Sequence, residues 1–211
     1  MKTTDFVESL SELEFENTFN PYSNRCDVHD LYGAPHCRKQ TLSSMLEAAT
    51  QRKIDSLWIG RDLGYRGGRR TGLAFTDDVH MQAHARRWGI VAGNPTMGAP
   101  VAERTAAVIW RVLSQVSEPV FLWNVFPLHP HEPGNPFSNR SHNSRERRAG
   151  EGLLSQLIAL LRPRRLVAIG NDAGQTARRL CDPYRVIQAR HPSHGGQTRF
   201  LTQMKELYPG I

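Results

Sequence analysis

Four side chains with useful chemistry stand at or just after four short apolar runs of the sequence: Asp62, Asn124, Asn171 and His191. A carboxylate accepts protons, an amide offers both a donor and an acceptor, and an imidazole can exchange a proton near neutral pH. Several arginines lie near them in the chain: Arg61, Arg66, Arg69, Arg70, Arg140, Arg145 and Arg199. Because guanidinium groups match phosphate geometry, the combination predicts a site for a phosphate-bearing substrate.

The apolar runs are typical of buried β-strands, which would position these side chains. The predicted strands are Ile54–Gly60, Val120–Phe126, Arg165–Gly170 and Tyr184–Arg190. Helical patterns of about ten residues or more separate them, which favours parallel pairing through crossover helices. The sequence therefore predicts a three-layer α/β/α sandwich around a four-stranded, mainly parallel sheet, with a ligand site beyond the carboxyl ends of the strands.

Apolar spacing and capping signals predict the helices that cover this sheet. They are Thr4–Phe15, Thr41–Arg52 with Thr41 or Ser43 as cap, Asp77–Gly89, Ala99–Glu118 with Pro100 near its start, a helix from Ser144 stopped at Pro163, Asp172–Leu180 and Gln197–Leu207. We expect residues 1–211 to form a single domain, with an irregular N-terminal segment at about residues 16–40.

Composition narrows the class of partner. The chain has 27 Lys and Arg against 20 Asp and Glu, a net charge of +7, which favours nucleic acid, anionic membranes or acidic proteins. No apolar stretch is long enough to cross a membrane, and the polar N-terminus is unlike a secretory signal, so we expect a cytoplasmic protein without a membrane partner. Three cysteines fit a reducing compartment and cannot supply four thiolates to an iron–sulfur cluster.

Three segments, in this order, resemble the motifs of the uracil-DNA glycosylase superfamily. They are "GRDLGYRGGRRTGLAF" after the first strand, Asn124 on the second, and "HPSHGGQTRF" after the fourth. The resemblance spans roughly residues 54–200 and implies a monomeric DNA-repair enzyme that flips a deaminated base out of DNA. It would remove uracil by hydrolysing the N-glycosidic bond, leaving an abasic site, without a metal or other cofactor.

The resemblance implies a role for each matched residue. Asp62 would orient or deprotonate the water that attacks the sugar C1′, and Phe75 would stack on the base. Asn124 would read the Watson–Crick edge of uracil, and His191 would donate a hydrogen bond to the base O2. The implied base pocket consists of Gly60, Arg61, Asp62, Tyr65, Phe75, Asn124, His191 and Ser193.

The polar, basic loop after the second strand would lie along the DNA backbone. The implied DNA contacts are Arg66, Arg69, Ser138, Arg140, Ser141, Ser193, His194 and Arg199, with Arg145 nearby. Ser141 or Ser144 would cap a helix whose N-terminus faces a phosphate. A Ser-His element at Ser141 also resembles one that precedes the corresponding helix in some family members.

The sequence departs from the family pattern at two places, so alternatives stay open. Leu63 stands where a proline is usual, and we assign Tyr65 as the residue that excludes the methyl group of thymine. The last motif lacks a leucine wedge, which leaves His194, Gln197 and Arg199 as candidates. The fold could instead serve hypoxanthine, xanthine or another deaminated base, or a non-catalytic DNA-binding module.

Plainer structural roles compete with each assignment. Asp62 could pair with Arg66, Asn124 could satisfy loop backbone groups, and His191 could end a strand before Pro192. Separately, the N-terminal segment holds a constellation suited to structural zinc, although its spacing is not one of the common ones: Cys26, His29, His36 and Cys37. We predict no metal site.

Overall fold

A four-stranded parallel sheet forms the centre of the protein, as the sequence predicts. The computed structural model describes residues 2–182 and 185–211, so Tyr184 of the predicted fourth strand lies outside the described residues. The strand order is β3-β2-β5-β6, and every neighbouring pair is parallel. These strands are β2 (Ser56–Asp62), β3 (Val120–Phe126), β5 (Arg165–Ile169) and β6 (Val186–Ala189). A separate antiparallel pair joins β1 (Thr18–Phe19) to β4 (His129–Pro130).

Helices cover both faces of the sheet. The α-helices of the described chain are α1 (Thr3–Ser11), α2 (Ala34–Thr50), α3 (Gly68–Thr71), α4 (Met81–Trp88), α5 (Arg104–Leu113), α6 (Ser144–Leu161), α7 (Asn171–Leu180) and α8 (Gln197–Leu207). None of these helices is long and apolar enough to span a membrane.

The core confirms the three layers. Along β2, Leu57 and Ile59 belong to one buried apolar cluster and Trp58 to another, since successive side chains point to opposite faces. The first cluster includes residues of α1, α2, α4, α6 and α7, and the second includes residues of α5 and α8. Burial on both faces explains why the strands are almost continuously apolar rather than alternating.

Several element boundaries differ from the sequence prediction. Strand β2 continues to Asp62, which pairs with Phe126, so the carboxylate stands on the strand and Asn124 lies two residues before the end of β3. Helix α2 begins at Ala34 with a proline in its first turn, so the predicted irregular segment ends earlier than residue 40. Thr41 is therefore buried within a helix and caps nothing.

Helix α5 is shorter than predicted because the preceding segment is held by backbone hydrogen bonds to acidic side chains. Val101 N donates to Asp78 (3.1 Å) and Glu103 N donates to Asp77 (2.6 Å). These bonds fix residues 101–103 outside the helix, which begins at Arg104. Pro100 accordingly lies in a loop.

Candidate active site

A cavity of about 460 Å³ opens at the carboxyl edge of the sheet. Its walls come from the loops after β2, β5 and β6, the segment before α5, and the segment before α6. The lining includes Arg61, Asp62, Leu63, Gly64, Gly68, Phe75, Glu103, Thr105, Asn139, Arg140, Asn171, Asp172, Arg190, His191, Ser193 and His194. The fold thus gathers most of the predicted base pocket in one place.

Asp62 is held from two sides. Its Oδ2 accepts a hydrogen bond from Arg61 Nε (2.8 Å), and its Oδ1 pairs with Nδ1 of His142. Both the Asp62 and His142 side chains are less than a tenth exposed. His142 precedes α6 and is 80 residues away in the chain. The sequence analysis placed this segment along the DNA backbone and assigned a role to Ser141 rather than to His142.

Asn124 and Phe75 meet over Gly60. A Cβ atom at Gly60 would overlap Asn124 Oδ1 and lie 2.5 Å from Phe75 Cζ, so only glycine leaves room for both. Phe75 has a left-handed backbone (φ 53°), and its carbonyl accepts a hydrogen bond from Trp110 Nε1 (3.0 Å). The Asn124 amide is buried and has no hydrogen-bond partner among the described residues, so its donors and acceptor are available to a ligand. Because Asn124 does not line the cavity, we expect the Phe75 ring to shift before a base reaches it.

His191 is arranged as a neutral hydrogen-bond donor. Its Nδ1 accepts from the Ser193 backbone N–H (3.2 Å) and lies 2.7 Å from Ser193 Oγ, which leaves the proton on Nε2. Burial, then the nearby Arg61, Arg190 and His194, lower the pKa of His191 to about 4. At neutral pH the imidazole is therefore uncharged, and Ser193 orients it.

A second groove adjoins the cavity at the N-terminus of α6. Its lining includes Arg61, Ser141, His142, Ser144, Arg147, Asp172 and Arg179. Exposed hydroxyl and guanidinium groups next to the positive end of a long helix suit an anion. The predicted Ser141 contact lies here, but Asn143, rather than Ser141 or Ser144, caps the helix: its side chain accepts from the backbone N–H groups of Arg145 and Glu146.

Two predicted DNA contacts have partners within the protein. Arg69 is 3% exposed, and its guanidinium stacks over the rings of Phe19 (4.0 Å) and Phe137 (5.0 Å). Arg140 binds the fully buried Glu146 through both terminal nitrogens. Arg69 therefore packs inside the protein instead of contacting phosphate, whereas Arg140 lines the cavity and is held by its ion pair with Glu146.

Other predicted residues lie around the cavity without lining it. Ser138 holds a turn, donating to the Asn135 carbonyl (2.8 Å) and accepting from Glu132 N (2.9 Å). Tyr65 is not a lining residue; its hydroxyl accepts from Arg66 Nε (2.8 Å), and Gly64 forms the wall in its place. Arg66 and Arg199 are exposed, the latter in the first turn of α8.

The wedge candidates differ in position. His194 lines the cavity mouth, is exposed, and has a left-handed backbone (φ 51°), so the loop presents it outward. Gln197 and Arg199 belong to α8 and do not line the cavity. Of the three, His194 is best placed to enter a DNA duplex beside the cavity.

No group of three or more His, Cys, Asp or Glu side chains within residues 2–182 and 185–211 is arranged to hold a metal ion. His29 instead packs edge-on against Phe137, and Cys26 is buried. The zinc alternative for the N-terminal segment therefore has no geometric support there.

Comparison with known sequences identifies the family. The sequence profile of the uracil DNA glycosylase superfamily matches residues 50–208, which include every residue of the cavity described above. The chain belongs to the uracil-DNA glycosylase superfamily. It is accordingly a DNA glycosylase of that fold, and DNA is its substrate polymer.

A solved uracil-DNA glycosylase-like structure agrees on the fold. The crystal structure of wild-type SMUG2 from Pedobacter heparinus superposes with a TM-score of 0.59 over 98% of this chain and 97% of that chain, at 12% sequence identity. At such low identity the similarity concerns the fold alone. None of the curated proteins matches the sequence significantly.

Proposed function

We propose that this glycosylase releases uracil from DNA by hydrolysing the N-glycosidic bond. The observation that carries the proposal is the cavity that unites Asp62, held by His142, with a neutral His191 and with Phe75. A general base and a hydrogen-bond donor for the leaving base are the two groups that this reaction needs.

The geometry supports a division of labour. Asp62 accepts a proton from water as the water oxygen bonds to C1′ and the glycosidic bond breaks. The bonding electrons leave with the base, and Nε2–H of His191 donates a hydrogen bond to its O2 as negative charge grows there. The released uracil anion then takes a proton from solvent. Hydrogen bonds alone stabilise this leaving group, so the reaction needs no cofactor.

Base recognition falls to Asn124 and Phe75. The Asn124 amide pairs with the alternating carbonyl and N–H of uracil, while Phe75 supports the face of the ring. The groove at the start of α6, together with Arg66, His194 and Arg199, binds phosphates on either side of the flipped nucleotide. We further propose that the protein acts as a monomer.

The decisive experiment incubates the protein, in EDTA, with labelled duplex DNA containing one uracil, followed by alkaline cleavage and detection of free uracil. Asp62→Ala is expected to lower the single-turnover rate at least 100-fold, about 3 kcal/mol, with little loss of DNA binding. Asp27→Asn, at an exposed carboxylate paired with Arg25, is the matched control and should keep the full rate.

Two results would contradict the proposal. Salt-sensitive binding without release of any base would favour a non-catalytic DNA-binding module. Unchanged release by Asp62→Ala would remove Asp62 from the role of general base.

A further inference from the structure

Glu103 places a second carboxyl group in the wall of the cavity. It is the residue immediately before α5, and neither the motifs nor the proposed reaction above uses it. Its side chain has no hydrogen bond or ion pair with any residue in the described ranges 2–182 and 185–211. The carboxyl group is partly buried and lines the cavity, so it is free to bind a ligand there.

The neighbouring loop is built around this carboxyl group. A Cβ atom at Gly64 would lie 3.0 Å from Glu103 Oε1, and one at Gly67 would overlap Oε2. At both positions the loop backbone therefore approaches the Glu103 carboxyl group closely.

Helix capping does not account for the side chain. Glu103 occupies the N-cap position of α5 but makes no side-chain cap hydrogen bond. Its own backbone N–H is held by Asp77 (2.6 Å), whose carboxylate also accepts from His80. Burial, and secondarily the charge of Asp77, raise the pKa of Glu103 to about 7. Near neutral pH, a large share of Glu103 thus carries a proton that it can donate.

We propose that Glu103 is a specificity residue whose carboxylic acid donates a hydrogen bond to N7 of a flipped deaminated purine. The inference rests on the proposed function, in which Asn124 and His191 bind two edges of a base supported by Phe75. Glu103 and Gly64 line the same cavity from other segments of the chain. In the proposed arrangement they face the remaining edge of the base.

The chemistry of the bases explains the preference. Hypoxanthine offers Asn124 the same neighbouring N–H and carbonyl as uracil does. On the next edge, hypoxanthine has the acceptor N7, whereas uracil has only C–H groups. A carboxylic acid there satisfies N7, and that bond strengthens as the purine leaves with negative charge.

The test compares single-turnover release from duplexes containing uracil, hypoxanthine or 7-deazahypoxanthine, which lacks the N7 acceptor. Glu103→Leu removes the donor and is expected to lower hypoxanthine release about tenfold more than uracil release. Glu103→Gln keeps a neutral donor and should restore most of this difference. Glu118→Gln, at an exposed position before β3, is the matched control for the loss of a carboxylate.

The 7-deazahypoxanthine substrate tests whether Glu103 contacts N7. For each protein we compare the rate of hypoxanthine release with the rate of 7-deazahypoxanthine release. We expect this ratio to be about tenfold larger for the wild-type protein than for Glu103→Leu. Comparing the two ratios cancels the intrinsic difference between the two glycosidic bonds. An equal preference in both proteins, or an equal fall in uracil and hypoxanthine release, would overturn the assignment. Release of uracil but not hypoxanthine by wild-type protein would also overturn it while leaving the proposed function intact. Release of no base from any duplex would contradict the proposed function itself.

Discussion

At the scale of single residues, the site depends on close contacts that small side chains permit. Gly60 lets the Asn124 amide and the Phe75 ring meet over the strand, and Gly64 and Gly67 make room for Glu103. The polar residues are then fixed by one or two neighbours each: Asp62 by Arg61 and His142. Such fixed geometry reduces the reorganisation required during the reaction.

Gly60→Ala tests this arrangement. The added methyl group would overlap Asn124 Oδ1 and crowd the Phe75 ring, so we expect uracil release to fall at least tenfold and the free energy of unfolding to fall by about 1–3 kcal/mol. Single-turnover kinetics and urea unfolding measure the two effects. Gly152→Ala is the control, because nothing lies within 4 Å of the added atom on this exposed face of α6. We expect that variant to gain about 0.5–1 kcal/mol of stability at an unchanged rate; a normal rate in Gly60→Ala would contradict the proposed contact geometry.

At the scale of elements, α6 is the part that completes the site. Gly150 lets the helix approach β3 so closely that a Cβ atom there would overlap the Val125 carbonyl oxygen. The start of the helix is fixed by a capping box in which Asn143 and Glu146 satisfy each other's backbone N–H groups. His142, the residue just before the cap, is thereby delivered to Asp62.

Removing the cap should lower both the stability of the protein and the rate of base release. Asn143→Ala is expected to lower the free energy of unfolding by about 1 kcal/mol and to slow base release, because the segment carrying His142 loses its anchor. Asn143→Ser retains a good cap and should keep both properties near those of the wild type. Urea unfolding and single-turnover rates of the two variants provide the comparison. Equal stability of the alanine and serine variants would show that the cap does not hold this segment.

At the scale of the whole molecule, buried histidines make the fold sensitive to acid. Burial lowers the pKa of His84 to about 3, and that of His129 and His191 to about 4. Between these values and the ordinary histidine pKa of about 6.5, the unfolded chain binds protons that the folded protein does not. These histidines therefore make their full contribution to the free energy of unfolding above about pH 6.5, and this contribution is lost as the pH falls toward 4.

His84→Gln should reduce this dependence. We expect the slope of unfolding free energy against pH, between about pH 4 and 5.5, to decrease by about 1.4 kcal/mol per pH unit, the contribution of one such histidine. Urea unfolding at several pH values measures the slope. Glu103, whose raised pKa acts in the opposite direction, contributes equally to both proteins and cancels. His36→Gln, on the exposed side of α2, should retain the wild-type slope; a wild-type slope in His84→Gln would show that His84 titrates in the folded state.

The sequence by itself determined the layered fold and predicted several residues that the structure places in the cavity. Apolar runs alternating with helical patterns predict a parallel sheet, because burial on both faces and crossover helices leave a local signature in the chain. The carboxyl edge of such a sheet then collects Asp62 and His191 whatever the details of packing. Motif order gave the glycosylase resemblance, which the family profile confirmed at the level of the superfamily.

Only the tertiary structure decided which polar residues face the cavity. The residue type does not show whether an arginine is exposed, as Arg66 is, or stacked inside the protein, as Arg69 is. The partnership of His142 with Asp62 and the approach of Glu103 to Gly64 join segments far apart in the chain. Such contacts depend on how whole elements pack, and no local pattern of residues encodes them.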